Sequence, residues 1–158
     1  MFQKDVAEPV GCPEAWRLYF LGPADNPATA ELFQGIAGLD FKDKRSAFNG
    51  LDKLLRHATD GRDPKAAYPT KCHEAFKFKH DHQQHTVWRI RENDVRIYFY
   101  YCAGKILLLP HIGEKREDKL TQAQKDHIAK PIKEYMDAEA KRSIHYEEYE
   151  DDHHDDSP

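Results

Sequence analysis

Between Val87 and Lys119 the chain interleaves cations with β-branched and aromatic residues: Arg89, Arg91 and Arg96, then His111, then Lys115, Arg116 and Lys119. Lys77 and Lys79 stand shortly before this stretch. A buried sheet does not need so many guanidiniums, so their chemistry points outward, to an anionic ligand. Arginine stays protonated and grips phosphate oxygens with two parallel N–H donors. It cannot act as a base. A lysine crowded by other cations has its pKa lowered and can do so, and a histidine near neutrality can act as acid or base. Residues of this kind gathered on one sheet mark the stretch in which a functional site is expected.

The elements that must position them are read from periodicity. Thr86–Arg91, Val95–Cys102 and Lys105–His111 are apolar runs separated by Glu92-Asn93-Asp94 and Ala103-Gly104-Lys105, which predicts an antiparallel meander. Ile106-Leu107-Leu108-Leu109 is apolar on both faces and belongs centrally, with Leu107 and Leu109 in the core. Ala75–Lys79 alternates, placing Phe76 and Phe78 on one face and Lys77 and Lys79 on the other. With Arg89 on a neighbouring strand, these lysines are expected to complete a cationic floor around Arg96 on the open, concave face.

Upstream, Ala15–Leu21 reads as a strand. A helix is expected through Ala28–Ile36, begun by Pro27 and weakened at its end by Gly35 and Gly38. A second, about Lys42–Ala58, carries the apolar stripe Phe48, Leu51, Leu54 and Leu55. Thr59–Pro69 reads as a loop. Leu120–Tyr135 is a helix with Thr121 at its N-cap, kinked or split near Lys130 by Pro131. The expected fold is α+β: a twisted antiparallel sheet, two N-terminal helices packed on one face, and a C-terminal helix. Residues 1–14 form an irregular lead-in, 15–140 the domain, and 141–158 an acidic tail.

Composition excludes some classes. No apolar run approaches the roughly 20 residues of a membrane span. The N-terminus lacks the apolar centre of a signal peptide. Three cysteines without metal-type spacing favour a reducing cytoplasm. Residues 147–158 carry seven acids and no Lys or Arg, so the net charge of -4 divides into +3 for the body and -7 for the tail. That tail is expected to be disordered and to fold back transiently over the basic face. His80, His82 and His85, with His73 nearby, suggest zinc, but Asp81 is expected to point away and no further ligand is placed, so no metal is expected.

The order strand, helix, helix, four strands, helix brings a family into view. Val87-Trp88-Arg89-Ile90-Arg91 resembles the arginine-ended strand of the RelE/ParE superfamily of bacterial toxins. Val95-Arg96-Ile97-Tyr98-Phe99-Tyr100 is similar to its aromatic-flanked strand. Leu107–His111 followed by Gly113-Glu114-Lys115-Arg116-Glu117 resembles its last strand and basic exit. The resemblance covers Trp16 to Tyr135 and is nearest to the RelE- and HigB-like ribosome-dependent ribonucleases. It implies a metal-independent mRNA endonuclease, active in the cytoplasm on translating ribosomes without a cofactor. A cognate antitoxin protein would silence it, as a toxin–antitoxin hetero-oligomer. It also implies Arg96 as phosphate clamp, Lys115 and Arg116 as a second phosphate contact, and His111 as acid or base. Lys77, Lys79, Arg89, Arg91 and Lys119 would contact RNA. The family often has a Tyr or His shortly after its last strand, and this chain has no Tyr there before Tyr135. A gyrase-poisoning ParE-like toxin and an inactive phage-derived binding protein of the same fold are the alternatives.

Overall fold

The computed structural model describes residues 15–22, 26, 30–114, 119–144 and 146. The lead-in, Pro27, Lys115, Arg116 and the acidic residues from 147 lie outside them. The elements are β1 (Arg17–Tyr19), α1 (Glu31–Ala37), α2 (Phe41–Thr59), α3 (Pro64–Ala67), β2 (Cys72–His80), β3 (Gln83–Glu92), β4 (Val95–Cys102), β5 (Ile106–Glu114) and α4 (Gln122–Ala140). The fold is α+β, with one five-stranded sheet in the order β1-β5-β4-β3-β2.

The sheet is mixed, which corrects the antiparallel expectation. β2 to β5 form antiparallel neighbours, but β1 runs parallel to β5, pairing Arg17 with Ile106 and Tyr19 with Leu108. Parallel neighbours need a long crossover. Here everything from α1 to β4 supplies it, and no local pattern in the sequence records the direction.

Each face of the sheet has its own core. On one, Leu32, Ile36 and Leu54 from α1 and α2 meet Ile90, Ile97, Phe99, Leu107, Leu109 and Ile112. On the other, Ile128, Ile132 and Tyr135 of α4 meet Tyr19, Phe76, Val87, Tyr98 and Leu108. Packing reaches Tyr146, whose ring lies 6.0 Å from that of Tyr19, so the ordered body extends past residue 141.

Local chemistry explains the helices. Asp40 caps α2 by accepting from the Asp43 amide at 2.8 Å, and Asp63 with Pro64 starts the short α3 in the expected loop. Thr121 and Gln124 form a capping box at α4. That helix continues through Pro131 instead of breaking. Proline costs a helix interior about 3 kcal/mol, and the buried row Ile128, Ala129, Pro131, Ile132 and Tyr135 offsets it. The buried row of α2 is Ser46, Ala47, Gly50, Leu54 and Ala58, smaller than the expected stripe, and Leu55 is 49% exposed. Small residues bring α2 close to β4. A Cβ on Gly50 would lie 2.8 Å from Ile97 Cδ1.

α1 approaches β5 closer still: a Cβ on Gly35 would sit 2.6 Å from the Ile112 carbonyl oxygen, held in a strand paired on both sides. Helix propensity alone would favour alanine at this position by about 1 kcal/mol. The clash reverses the sign, so Gly35→Ala is expected to destabilise the protein by about 1–3 kcal/mol in urea unfolding. Gly38→Ala, whose Cβ meets nothing nearer than 3.7 Å, is expected to be neutral or stabilising.

Candidate anion-binding site at the β3–β4 hairpin

Two bulges decide which cations share a face. In β2, Glu74 opposes Trp88 but Phe76 opposes Val87, so Ala75 is an extra residue. In β5, His111 opposes Tyr98 but Leu108 opposes Tyr100, so two residues, Leu109 and Pro110, oppose Phe99 alone. A bulge reverses the in–out alternation beyond it. Proline suits one because it has no ladder donor to lose.

The β2 bulge splits the expected cationic floor. Without it, Lys77 and Lys79 would share a face with Arg89. With it, Phe76 and Phe78 join Val87 and His85 on the α4 side, and the lysines turn to the opposite side. There Lys77 Nζ lies 3.7 Å from Glu74. Lys119 is exposed, two residues before the N-cap of α4.

The β5 bulge has the opposite effect. It turns His111 onto the face of Tyr98, with the rings stacked at 5.8 Å and 29°. Cross-strand pairing then sets Arg89 beside Tyr98 and Arg91 beside Arg96 on that same face. His127 of α4 meets His111 edge-on at 6.0 Å and pairs with Glu31 of α1 at 3.0 Å. Three guanidiniums and an imidazole thus occupy adjacent positions on β3, β4 and β5.

Their exposure differs from expectation. Arg96 is only 4% exposed. Its Nη1 donates to the Asn93 and Val95 carbonyl oxygens, both at 3.2 Å. The open face expected for it is not found: Arg96 is covered on the face that α4 packs against, with Nη1 given to two backbone carbonyls, so it is not an open clamp. Arg91 is the exposed arginine and Arg89 is half-buried. Glu92 faces α2, where it accepts from Lys53 Nζ at 2.7 Å.

A cleft of about 430 Å³ opens at this hairpin, lined by Lys42, Arg91, Asn93, Asp94 and Arg96. Three cations against one carboxylate suit a phosphate group. Lys42 escaped the sequence reading because it belongs to the first turn of α2, about 50 positions from the strands it joins. His111 lies two residues along β5 from Gly113, the partner of Arg96, which is about 7 Å of strand.

Other reactive groups are poorly suited to chemistry. Burial pushes the Cys72 thiol up to about 11 and the Cys102 thiol up to about 12, helped by Asp63 and Glu139 respectively, so neither is a thiolate at neutral pH. Tyr98 is buried, Tyr100 bonds His85 Nδ1 at 3.0 Å, and Tyr101 donates to Asp63 from the opposite face. Burial also raises the Tyr100 and Tyr101 hydroxyls above their ordinary range, with the Asp63 bond reinforcing the rise at Tyr101. The histidines of this segment do not converge on one another: His73 bonds the Thr70 carbonyl, His85 turns to Tyr100, and His82 is exposed in the turn.

No helix among the described residues is long and apolar enough to cross a membrane. Compared with known protein families and with curated proteins, the chain matches none.

Because Arg96 satisfies carbonyls under cover, Arg96→Ala is expected to lower unfolding free energy by about 1–3 kcal/mol. Exposed Arg91→Ala is expected to stay within about 0.5 kcal/mol of the parent. Urea denaturation of both variants checks the difference.

Proposed function

We propose that this chain is an endoribonuclease that cleaves mRNA on translating ribosomes, the toxin of a toxin–antitoxin pair. The observation that carries the reading is the cleft at the β3–β4 hairpin, lined by Lys42, Arg91 and Arg96, with His111 outside that lining, two residues along β5 from the partner of Arg96. The resemblance of the strand sequences to RelE- and HigB-like toxins supplies the reaction. A ribose 2′-OH attacks the neighbouring phosphorus, a cyclic phosphate forms, and the 5′ oxygen leaves with a proton.

The roles follow exposure. Arg91 and Lys42 grip the scissile phosphate and meet the negative charge that grows on its oxygens. Arg96 holds the turn that carries Asn93 and so positions Arg91. His111 passes a proton to or from the reacting oxygens. With no thiolate available, the donor set is weak in bases. Alignment by the ribosome then supplies what side chains do not, and orientation of that kind contributes several kcal/mol. Free RNA is cut poorly for the same reason. An acidic antitoxin segment laid over the cleft would silence it.

The burial of Arg96 favours a second reading, a binding protein of the same fold with no turnover. Expression without antitoxin separates the two. The expected outcome is growth arrest, with new 5′ ends inside translated reporter mRNA by primer extension. Arg91→Ala should lower cleavage on the order of 10²–10³-fold while leaving stability unchanged. A harmless wild-type protein that yields no new ends would replace the nuclease by the binding protein. Equal cleavage by Arg91→Ala would move the site away from this cleft.

A further inference from the structure

We propose that His80, Asp81 and Asp137 form a divalent transition-metal site that ties the tip of the β2–β3 hairpin to the C-terminal half of α4. One donor atom from each residue lies within 4.8 Å of the other two. His80 Nε2 stands 2.8 Å from Asp137 Oδ1 and 3.6 Å from Asp81 Oδ2. Ligands held at about 2.0–2.2 Å around one tetrahedral ion are separated by roughly 3.3 Å, and the two separations from His80 Nε2 differ from that spacing by about half an ångström or less.

The turn creates this arrangement. Asp81 and His82 both take positive φ, 51° and 65°, as a two-residue hairpin of the primed type requires. Simple alternation along the strand would send Asp81 away from His80. The left-handed turn brings it back, which is why sequence reasoning discarded it as a ligand. The third donor comes from 57 positions away, on a helix that reaches the hairpin only after folding.

The donor chemistry selects the ion. Two carboxylates converge on an imidazole, not on an ammonium or guanidinium, and a neutral imidazole leaves a local charge of -2 for a dication to balance. Lys133, one turn back from Asp137 on α4, is directed to the Phe78 ring at 5.8 Å. One nitrogen and two oxygens suit Zn²⁺ and its first-row neighbours, whereas Ca²⁺ and Mg²⁺ prefer all-oxygen sets. The side chains of Asp81 and Asp137 are 85% and 52% exposed, leaving space for water at the remaining position. Bound metal would reinforce the His80–Asp137 hydrogen bond that already links the hairpin to α4.

Zinc chloride titrated into the full, untagged chain by calorimetry tests the site, with hydrogen exchange as a second readout. The expected result is a binding event weakened at least about tenfold by each of His80→Ala, Asp81→Asn and Asp137→Asn. Zinc should also slow amide exchange in the second half of α4. Asp81→Asn keeps the fold in any case, since an exposed asparagine tolerates positive φ. Absence of binding overturns the proposal. So does a zinc event that all three substitutions leave unchanged, which would belong to other histidines such as His153 and His154.

Discussion

One extra residue in β5 governs what this sheet can present. Up to Leu109 the strand alternates between the two cores, with Leu107 and Leu109 toward α1 and α2 and Leu108 toward α4. The Leu109–Pro110 bulge resets the alternation, so that Ile112 returns to the first core and His111 joins Tyr98 on the second face. Without that bulge, plain alternation past Leu109 would carry Ile112 out of the core and His111 into it. A neutral imidazole needs a partner when buried and isoleucine gains nothing from exposure, so the two errors would compound. The close seat of α1 depends on the same strand, because Gly35 rests on the Ile112 carbonyl.

Much of the scaffold was legible. β4 matches its expected limits, the five strands and the two long helices are where apolar periodicity puts them, and Leu107 and Leu109 are core. Periodicity reads local alternation, and it fails where alternation is interrupted. Nothing in Glu74-Ala75-Phe76 announces that Ala75 is extra, so Lys77 and Lys79 were expected beside Arg89 and instead face away. Pro110 was the available signal for the second bulge, since a proline inside a central strand has few other places to sit. The direction of β1 and the contribution of Lys42 are set by long-range packing, which no window of sequence contains.

The arginines show why residue type alone does not identify a site. Arg96 has the strand position that the resemblance singles out, yet its guanidinium is spent on two backbone carbonyls of its own turn. A buried guanidinium of that kind costs desolvation, and it repays this by fixing the hairpin from which Arg91 projects. Arg91, between buried Ile90 and buried Glu92, is exposed. The division is physical: one arginine gives the turn its shape, the other gives the cleft its accessible charge.

α4 connects these features. Its first half brings His127 to His111 and Glu31, on the side of the basic face. Its second half brings Asp137 to His80 at the hairpin tip on the far edge strand. Between them Ile128, Ile132 and Tyr135 bury the middle of the sheet. A rigid helix spanning 19 residues, about 28 Å long, transmits a constraint at one end to the other more readily than a loop would. α4 thus joins a contact at the edge strand β2 to the His127–His111 pair at its other end.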